Sequence, residues 1–208
     1  MDKQAEAWRG DIGPDYTKRN KMTADTYEKL CKSRYGFTRT EINADMLRDV
    51  SKNARFLELG CNIGNQLAIL KKMGYANVEG VDIQQDAVDI ARKNGHIANQ
   101  SDIFELDYLP SGYRDVVFTP GVLIHINPEK YERIVDEMIR LSARWIWCFE
   151  YWNETLQAIP YLDRNDLLWK TDFRKLFLDR ENVNEIASRK LIRLDDGYTD
   201  MTFLMEKT

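Results

Sequence analysis

The chain has 208 residues, 43% hydrophobic and 31% charged, with a formal net charge of −4. That length suits one domain with a sizeable core, and no apolar run reaches the roughly 18 residues a membrane-spanning helix needs. The balance gives no general nucleic-acid footprint, although residues 1–55 hold 12 Lys and Arg against 9 Asp and Glu, which leaves the remainder acidic. Cys31, Cys61 and Cys148 are odd in number, widely spaced and without a CxxC pair, which argues against a disulfide framework and a zinc site, so no metal is expected. The opening MDKQAEAWRG carries acids and no apolar stretch with a small-residue cleavage site, so no secretory signal is expected and the location is read as cytoplasmic.

In chain order, residues 22–34 and 41–51 space their apolar residues as helices do, with Thr23 and Thr40 as N-cap candidates. The period then changes. Residues 55–60 read as a short strand, 65–73 as a helix, 77–83 as a strand and 85–94 as a helix, a βαβα pattern. A third short strand is expected at 96–100, a buried one at 115–119, a helix at 129–142 and a β-rich central strand at 144–151 (RWIWCFEY). Residues 167–179 are read as helical, and 190–195 and 198–206 as two strands joined at Asp196-Gly197. A hairpin after alternating α/β units predicts a mostly parallel sheet with one antiparallel strand.

The stretch LELGCNIGNQLAIL at 57–70 breaks a strand with glycines before a helix, where backbone approaches a ligand. A dinucleotide turn wants glycines at its first, third and sixth positions; from Gly60 these hold Gly60, Asn62 and Asn65. The E-x-G-x-x-x-G spacing used for S-adenosylmethionine is instead met by Glu58, Gly60 and Gly64, with Cys61, Asn62 and Asn65 in the turn. A Cβ there would crowd the methionine end and ribose of that cofactor; a plain tight strand-to-helix turn is the alternative. Asp82, which ends the second strand beside Ile83, can accept both ribose hydroxyls or cap the next helix. Asp102 and Ile103 can read and cover the adenine, or belong to an ordinary loop. At the exit of the fourth strand, Pro120 and Gly121 face the place where methyl group and acceptor meet. His125 there is either a general base or a histidine that holds its loop.

The whole chain resembles the pseudaminic acid biosynthesis-associated methyltransferases, a group within the class I S-adenosylmethionine-dependent superfamily. The resemblance is carried by the spacing of Trp8, Gly10, Gly13, Tyr16, Arg19 and Asn20 across a segment that includes Asp11, by LELGCNIGNQLAIL, GVLIHINPE, EYWN at 150–153, Thr171-Asp172-Phe173 and TFLMEK at 202–207. Two places depart from it: Ile12 stands where that group has an aromatic residue, and Tyr161-Leu162-Asp163 lacks an arginine after the tyrosine.

The resemblance implies a Rossmann-like class I methyltransferase fold, a mostly parallel seven-stranded sheet with a C-terminal antiparallel hairpin and helices on both faces. It implies a lid or substrate-side segment at 1–52, a cofactor-binding domain at 53–208, and methylation of a small polar metabolite, a sugar or sugar-acid relative, at oxygen or nitrogen. Tyr16, Arg19 and Asn20 then join the cofactor contacts. Glu150 and Tyr151, at the edge of the fifth strand, join His125 as catalytic candidates, or cap a turn and pack in the core. An RNA or protein methyltransferase and a non-catalytic nucleotide-binding module on the same fold are the rival readings. A small molecule is the partner expected, with no nucleic acid and no membrane, and with the oligomeric state open.

Overall fold

The computed structural model describes residues 3–10 and 12–208. Residues 1, 2 and 11 and the Lys3 side chain fall outside that description, and with them Asp11 of the N-terminal pattern and the first two residues of the stretch read for a secretory signal. Four helices precede the sheet: α1 (Lys3–Arg9), α2 (Ile12–Arg19), α3 (Ala24–Tyr35) and α4 (Arg39–Met46). The alternating part follows as β1 (Phe56–Leu59), α5 (Asn65–Lys72), β2 (Val78–Asp82), α6 (Gln85–Lys93), β3 (Ile97–Gln100), β4 (Arg114–Pro120), α7 (Tyr131–Leu141) and β5 (Ser142–Tyr151). The chain closes with β6 (Gln157–Ala158), β7 (Trp169–Lys170), α8 (Phe173–Leu178), β8 (Val183–Ile192) and β9 (Thr199–Lys207).

Seven strands form one sheet in the order β3-β2-β1-β4-β5-β9-β8, and β6 and β7 form a separate antiparallel ribbon. β1 to β5 pair in parallel, while β9 runs antiparallel between β5 and β8. This is the Rossmann-like α/β sheet expected, with its single reversed strand and a turn at Asp196-Gly197, where Gly197 takes a φ of 73°.

Period-two alternation sends successive side chains to opposite faces. Leu57, Val117, Ile146 and Phe203 meet α7 and α8 on one face, whereas Phe56, Phe118, Trp147 and Leu204 meet α5 and α6 on the other. Helices therefore cover both faces, and both layers are dry: Phe56, Val117 and Ile146 have no exposed surface. Burial of each such side chain contributes about 1.5–3 kcal/mol. Trp145, Trp147 and Phe149, alternating along β5, are all buried.

Local signals set most boundaries, and three expectations are corrected. Thr23 caps α3 by accepting from the Thr26 N–H, but Thr38, not Thr40, caps α4, in a capping box completed by Glu41; Thr40 is bonded to Glu28 instead. The helix read over 167–179 shrinks to Phe173–Leu178, because the Leu168 carbonyl accepts from the Ile159 N–H and the Leu167 carbonyl from His125. Those carbonyls are spent sideways. The strand placed at 190–195 spans Val183–Ile192; it lies at the sheet's edge, where half its side chains face solvent, so charged and polar residues interrupt the apolar run along it.

Candidate functional site

The glycine turn after β1 is tightly built. Gly60 and Gly64 have φ of 75° and 86°, and Asn62 between them has 45°, all in the left-handed region. A Cβ on Gly60 would lie 2.6 Å from Val122 Cγ2, and one on Gly64 would lie 2.5 Å from His96 Cδ2. The absence of side chains at these glycines thus serves contacts within the protein. Gly60, Cys61, Asn62 and Asn65 line the main cavity, with Glu58 beneath them. Gly64 itself packs against His96 behind the turn and does not line the cavity.

Asp82 is 7% exposed, and its two oxygens accept from the Asn62 N–H at 2.7 Å and the Gln84 N–H at 2.9 Å. Burial pushes its carboxyl above the usual range, against the pull of those backbone donors. Each oxygen keeps a second lone pair. The cap position of α6 belongs to Gln84, so Asp82 ties two turns together at the cavity wall rather than capping that helix. Ile83 follows it in the wall, and Asp102 and Ile103 line the same end. Asp102 accepts from the Phe104 N–H at 3.0 Å and from Arg9 at 3.3 Å.

At the other end, beyond Pro120 and Gly121, His125 lines the cavity. Its Nδ1 lies 2.9 Å from the Leu167 carbonyl. A carbonyl only accepts, so Nδ1 carries the hydrogen in the neutral ring and the Nε2 lone pair is left available. Burial lowers its pKa to about 4, so the ring is neutral near pH 7. Trp8, Tyr161 and Tyr16 surround it with ring centroids at 4.6, 5.6 and 6.1 Å.

Glu150 and Tyr151 part company. Alternation along β5 turns Tyr151 into the cavity and Glu150 to the α7 side. The Glu150 carboxylate accepts from the N–H groups of Gly121 and Val122, both at 3.2 Å, and of Ile124 at 3.4 Å. Burial raises its pKa to about 8, partly offset by those donors. The catalytic expectation for Glu150 is corrected accordingly: it holds the loop that carries His125 and has no face toward an acceptor.

The N-terminal helices dock across both ends. Gln4 bridges the loop, donating to the His125 carbonyl and accepting from the Asn127 N–H. Asn62 donates to Thr17 at 2.9 Å, and a Cβ on Gly13 would lie 2.1 Å from Gln84 Nε2, so α2 sits directly on the turns that follow β1 and β2. Tyr16 and Asn20 line the cavity, with Asn20 donating to the Tyr16 carbonyl. Arg19 does not; it is exposed and donates to the Tyr161 hydroxyl at 2.9 Å, latching α2 to the 152–168 arm.

These parts enclose one cavity of about 450 Å³, within the range for a small-molecule site. Buried polar atoms without partners gather along it: Trp8 Nε1, Glu58 Oε2, both side-chain atoms of Gln66, Gln84 Nε2 and Asp200 Oδ1. Such atoms are costly unless a ligand or water satisfies them. Apart from Asp200 Oδ1 on the far wall, their arrangement fits an elongated polar group such as S-adenosylmethionine. Gln66, Gln84, Tyr27, Tyr35 and Asp200 were not singled out in the sequence. Gln84 follows Asp82 by two and was within reach of the strand-end rule; Asp200, on a reversed strand, carries no local signal. Among the described residues, no group of three or more His, Cys, Asp or Glu side chains is arranged to hold a metal, and no helix is long and apolar enough to cross a membrane.

Residues 57–144 match the family described as a methyltransferase domain. Ribosomal protein L11 methyltransferase of Dechloromonas aromatica is 27% identical over 120 residues, covering 48% of this chain and 40% of that protein. The chain thus spans well under half the length of that curated relative. Two solved structures share the fold nearly end to end. The 1,6-didemethyltoxoflavin-N1-methyltransferase of Burkholderia thailandensis, with S-adenosylhomocysteine bound, has a TM-score of 0.74 at 17% identity, over 98% of this chain and 88% of that one. The magnesium protoporphyrin IX methyltransferase of Synechocystis PCC 6803, also with S-adenosylhomocysteine, has 0.70 at 14% identity, over 98% of both. Residues 57–144 thus match a methyltransferase domain, and the chain as a whole shares the fold of these two structures.

Proposed function

We propose that this methyltransferase-domain protein transfers a methyl group from S-adenosylmethionine to a small polar metabolite, a sugar or related biosynthetic intermediate, at oxygen or nitrogen. The observation that carries the reading is the single continuous cavity from Asp82 to His125, roofed by α1 and α2. A site of this volume under a docked roof suits small molecules, and a net charge of −4 gives no general attraction for nucleic acid. The resemblance to the pseudaminic acid-associated group supports a sugar-like acceptor.

S-adenosylmethionine supplies a methyl group already activated on a sulfonium, so the residues here chiefly position, dry the site and move a proton. The second lone pairs of Asp82 would accept from the ribose hydroxyls. Asp102 and Ile103 would hold the adenine end, and the turn at Gly60, Cys61, Asn62 and Asn65 the methionine end, with Tyr16 and Asn20 closing over it. His125 Nε2 takes the acceptor proton as general base. Residues 1–52 act as the lid over the domain 53–208; Trp8 and the Arg19–Tyr161 latch close it and exclude water.

The test is incubation of the protein with labelled S-adenosylmethionine and three separate pools: fractionated small metabolites, total RNA and protein extract. Label entering one small-metabolite fraction, with the product identified by mass spectrometry, is the expected result. Label entering only RNA or protein overturns the substrate class, and tight cofactor binding with no transfer to any pool assigns a binding module.

A further inference from the structure

One wall of the cavity has no part in the scheme above. Beyond Glu58 it is lined by Tyr27, Leu30, Tyr35, Phe149, Tyr151 and Asp200, brought together by α3 and by the paired ends of β5 and β9. Tyr151 and Asp200 are direct partners in the sheet register, so their side chains emerge together on the face that looks into the cavity. Asp200 is 1% exposed. Its Oδ2 accepts from the Tyr35 hydroxyl, while its Oδ1 is buried and has no partner. An acceptor oxygen held this way calls for an N–H or O–H brought by a ligand.

The surrounding charges select between those donors. Arg193, Arg34 and Arg39 all lie near enough to stabilise the ionised Asp200 carboxylate. Arg39 is 1% exposed, with its guanidinium 3.8 Å from the Phe149 ring centroid. Arg193 is 7% exposed and 5.3 Å from the Tyr151 ring centroid. A ligand ammonium would enter beside three like charges, whereas a neutral hydroxyl meets no such penalty. Burial lifts the Asp200 carboxyl to about 6, against the Tyr35 hydrogen bond and the arginines, so it is ionised at neutral pH. Tyr35 and Phe149 meet edge to face with centroids 5.8 Å apart, and with Tyr151 they form one apolar surface that suits the C–H face of a saturated ring.

We propose that this wall is the acceptor subsite, in which Asp200 Oδ1 accepts a hydrogen bond from a hydroxyl of a polyhydroxylated ring lying against the surface formed by Tyr35, Phe149 and Tyr151. The assignment deepens the methyltransferase reading and rests on it. It makes Asp200 a residue that selects the acceptor, separate from the cofactor contacts.

The experiment uses the full chain loaded with S-adenosylhomocysteine and three defined probes at millimolar concentration: methyl glucopyranoside, cyclohexylammonium and cyclohexanecarboxylate. Saturation-transfer NMR reads binding of each to wild type, Asp200→Asn and Tyr35→Phe, and calorimetry reads S-adenosylhomocysteine in the same samples. Asp200→Asn turns an acceptor toward the cavity into a donor; Tyr35→Phe leaves the carboxylate in place. The expected result is saturation of the glucoside ring in wild type, about a tenfold weaker affinity in Asp200→Asn, retention in Tyr35→Phe, and cofactor-product affinity unchanged in both. Preference for the ammonium or the carboxylate, absence of glucoside binding in wild type, or equal binding in Asp200→Asn overturns the proposal while the methyltransferase reading stands. Loss of S-adenosylhomocysteine affinity in Asp200→Asn moves the residue to the cofactor's methionine end and also overturns it. Failure of wild type to bind S-adenosylhomocysteine at all defeats the broader reading instead.

Discussion

The two ends of the cavity are assembled from different kinds of chain. The Asp82 end comes from the carboxyl edges of three adjacent parallel strands, β1, β2 and β3, and from the turns that follow them, all within 50 residues of sequence. The His125 end draws on α1, α2, α3, the loop after β4, the 152–168 arm and the start of β9, pieces up to about 190 residues apart. A short-range turn is fixed by its own backbone geometry, so it can hold one cofactor in many relatives. A wall gathered from distant segments can change segment by segment, and acceptor specificity belongs there.

The contrast breaks most sharply at His125. His125→Ala should lower kcat by roughly 10²–10⁴-fold if its Nε2 takes the acceptor proton, with S-adenosylhomocysteine affinity unchanged. Because burial holds the imidazole pKa at about 4, the base form is complete across pH 6–8 and is lost only as pH falls toward 4. Activity on the acceptor found by labelling should therefore be flat near neutrality. An acid limb centred at the ordinary 6.5, or near-wild-type kcat in the alanine variant, removes the base assignment. At the opposite end, Asp82→Ala should weaken S-adenosylhomocysteine by more than about 1.5 kcal/mol, because a charged acceptor of ribose hydroxyls is lost and the Asn62 and Gln84 N–H groups lose their common partner. Calorimetry checks it; unchanged affinity would misplace the cofactor.

The same contrast explains what could be read in advance. The strands and the turn at 57–65 follow from apolar period and glycine spacing, which are local properties. The division of Glu150 from Tyr151 was also legible: neighbours on a strand point to opposite faces, so one cavity cannot receive both. By contrast α1 and α2 are only 7 and 8 residues long and are interrupted by Gly10, Gly13 and Pro14. Isolated helices of that length are marginal; they exist here because Gly13 lets α2 close on Gln84 and because Gln4 and Thr17 find partners on the sheet edge. Asp200 was hidden for the same reason, since its meaning depends on pairing with Tyr151 and on Tyr35 from another helix.

Glu150, which anchors the loop that carries His125, gives a stability test rather than a catalytic one. Its carboxyl titrates near 8 in the folded protein against an ordinary 4.5, chiefly through burial. Between those values the unfolded chain has released the proton and the folded protein retains it, so stability should fall as pH rises, by up to about 1.4 kcal/mol per pH unit. In Glu150→Gln that component should vanish, which urea melts from pH 5 to 8 would show. An identical slope in wild type and variant would place the charge change elsewhere.

The smallest effect belongs to the strap between the regions. Arg9 reaches from α1 to Asp102 at 3.3 Å and to Glu105 at 3.5 Å, with its side chain 36% exposed. An ion pair so open to solvent contributes roughly 0–1 kcal/mol and weakens with salt. Arg9→Ala should accordingly change S-adenosylhomocysteine affinity by no more than about fivefold, mainly through faster release, since the pair closes α1 over the adenine end without contributing to the turn beneath it. Stopped-flow dissociation at low and high salt separates the possibilities. Faster release at low salt that converges with wild type at high salt identifies a lid held electrostatically. A salt-independent loss of the same size would instead mean that Arg9 packs against the ligand itself, and the Asp82 end would then depend on the distant N-terminal segment as much as the His125 end does.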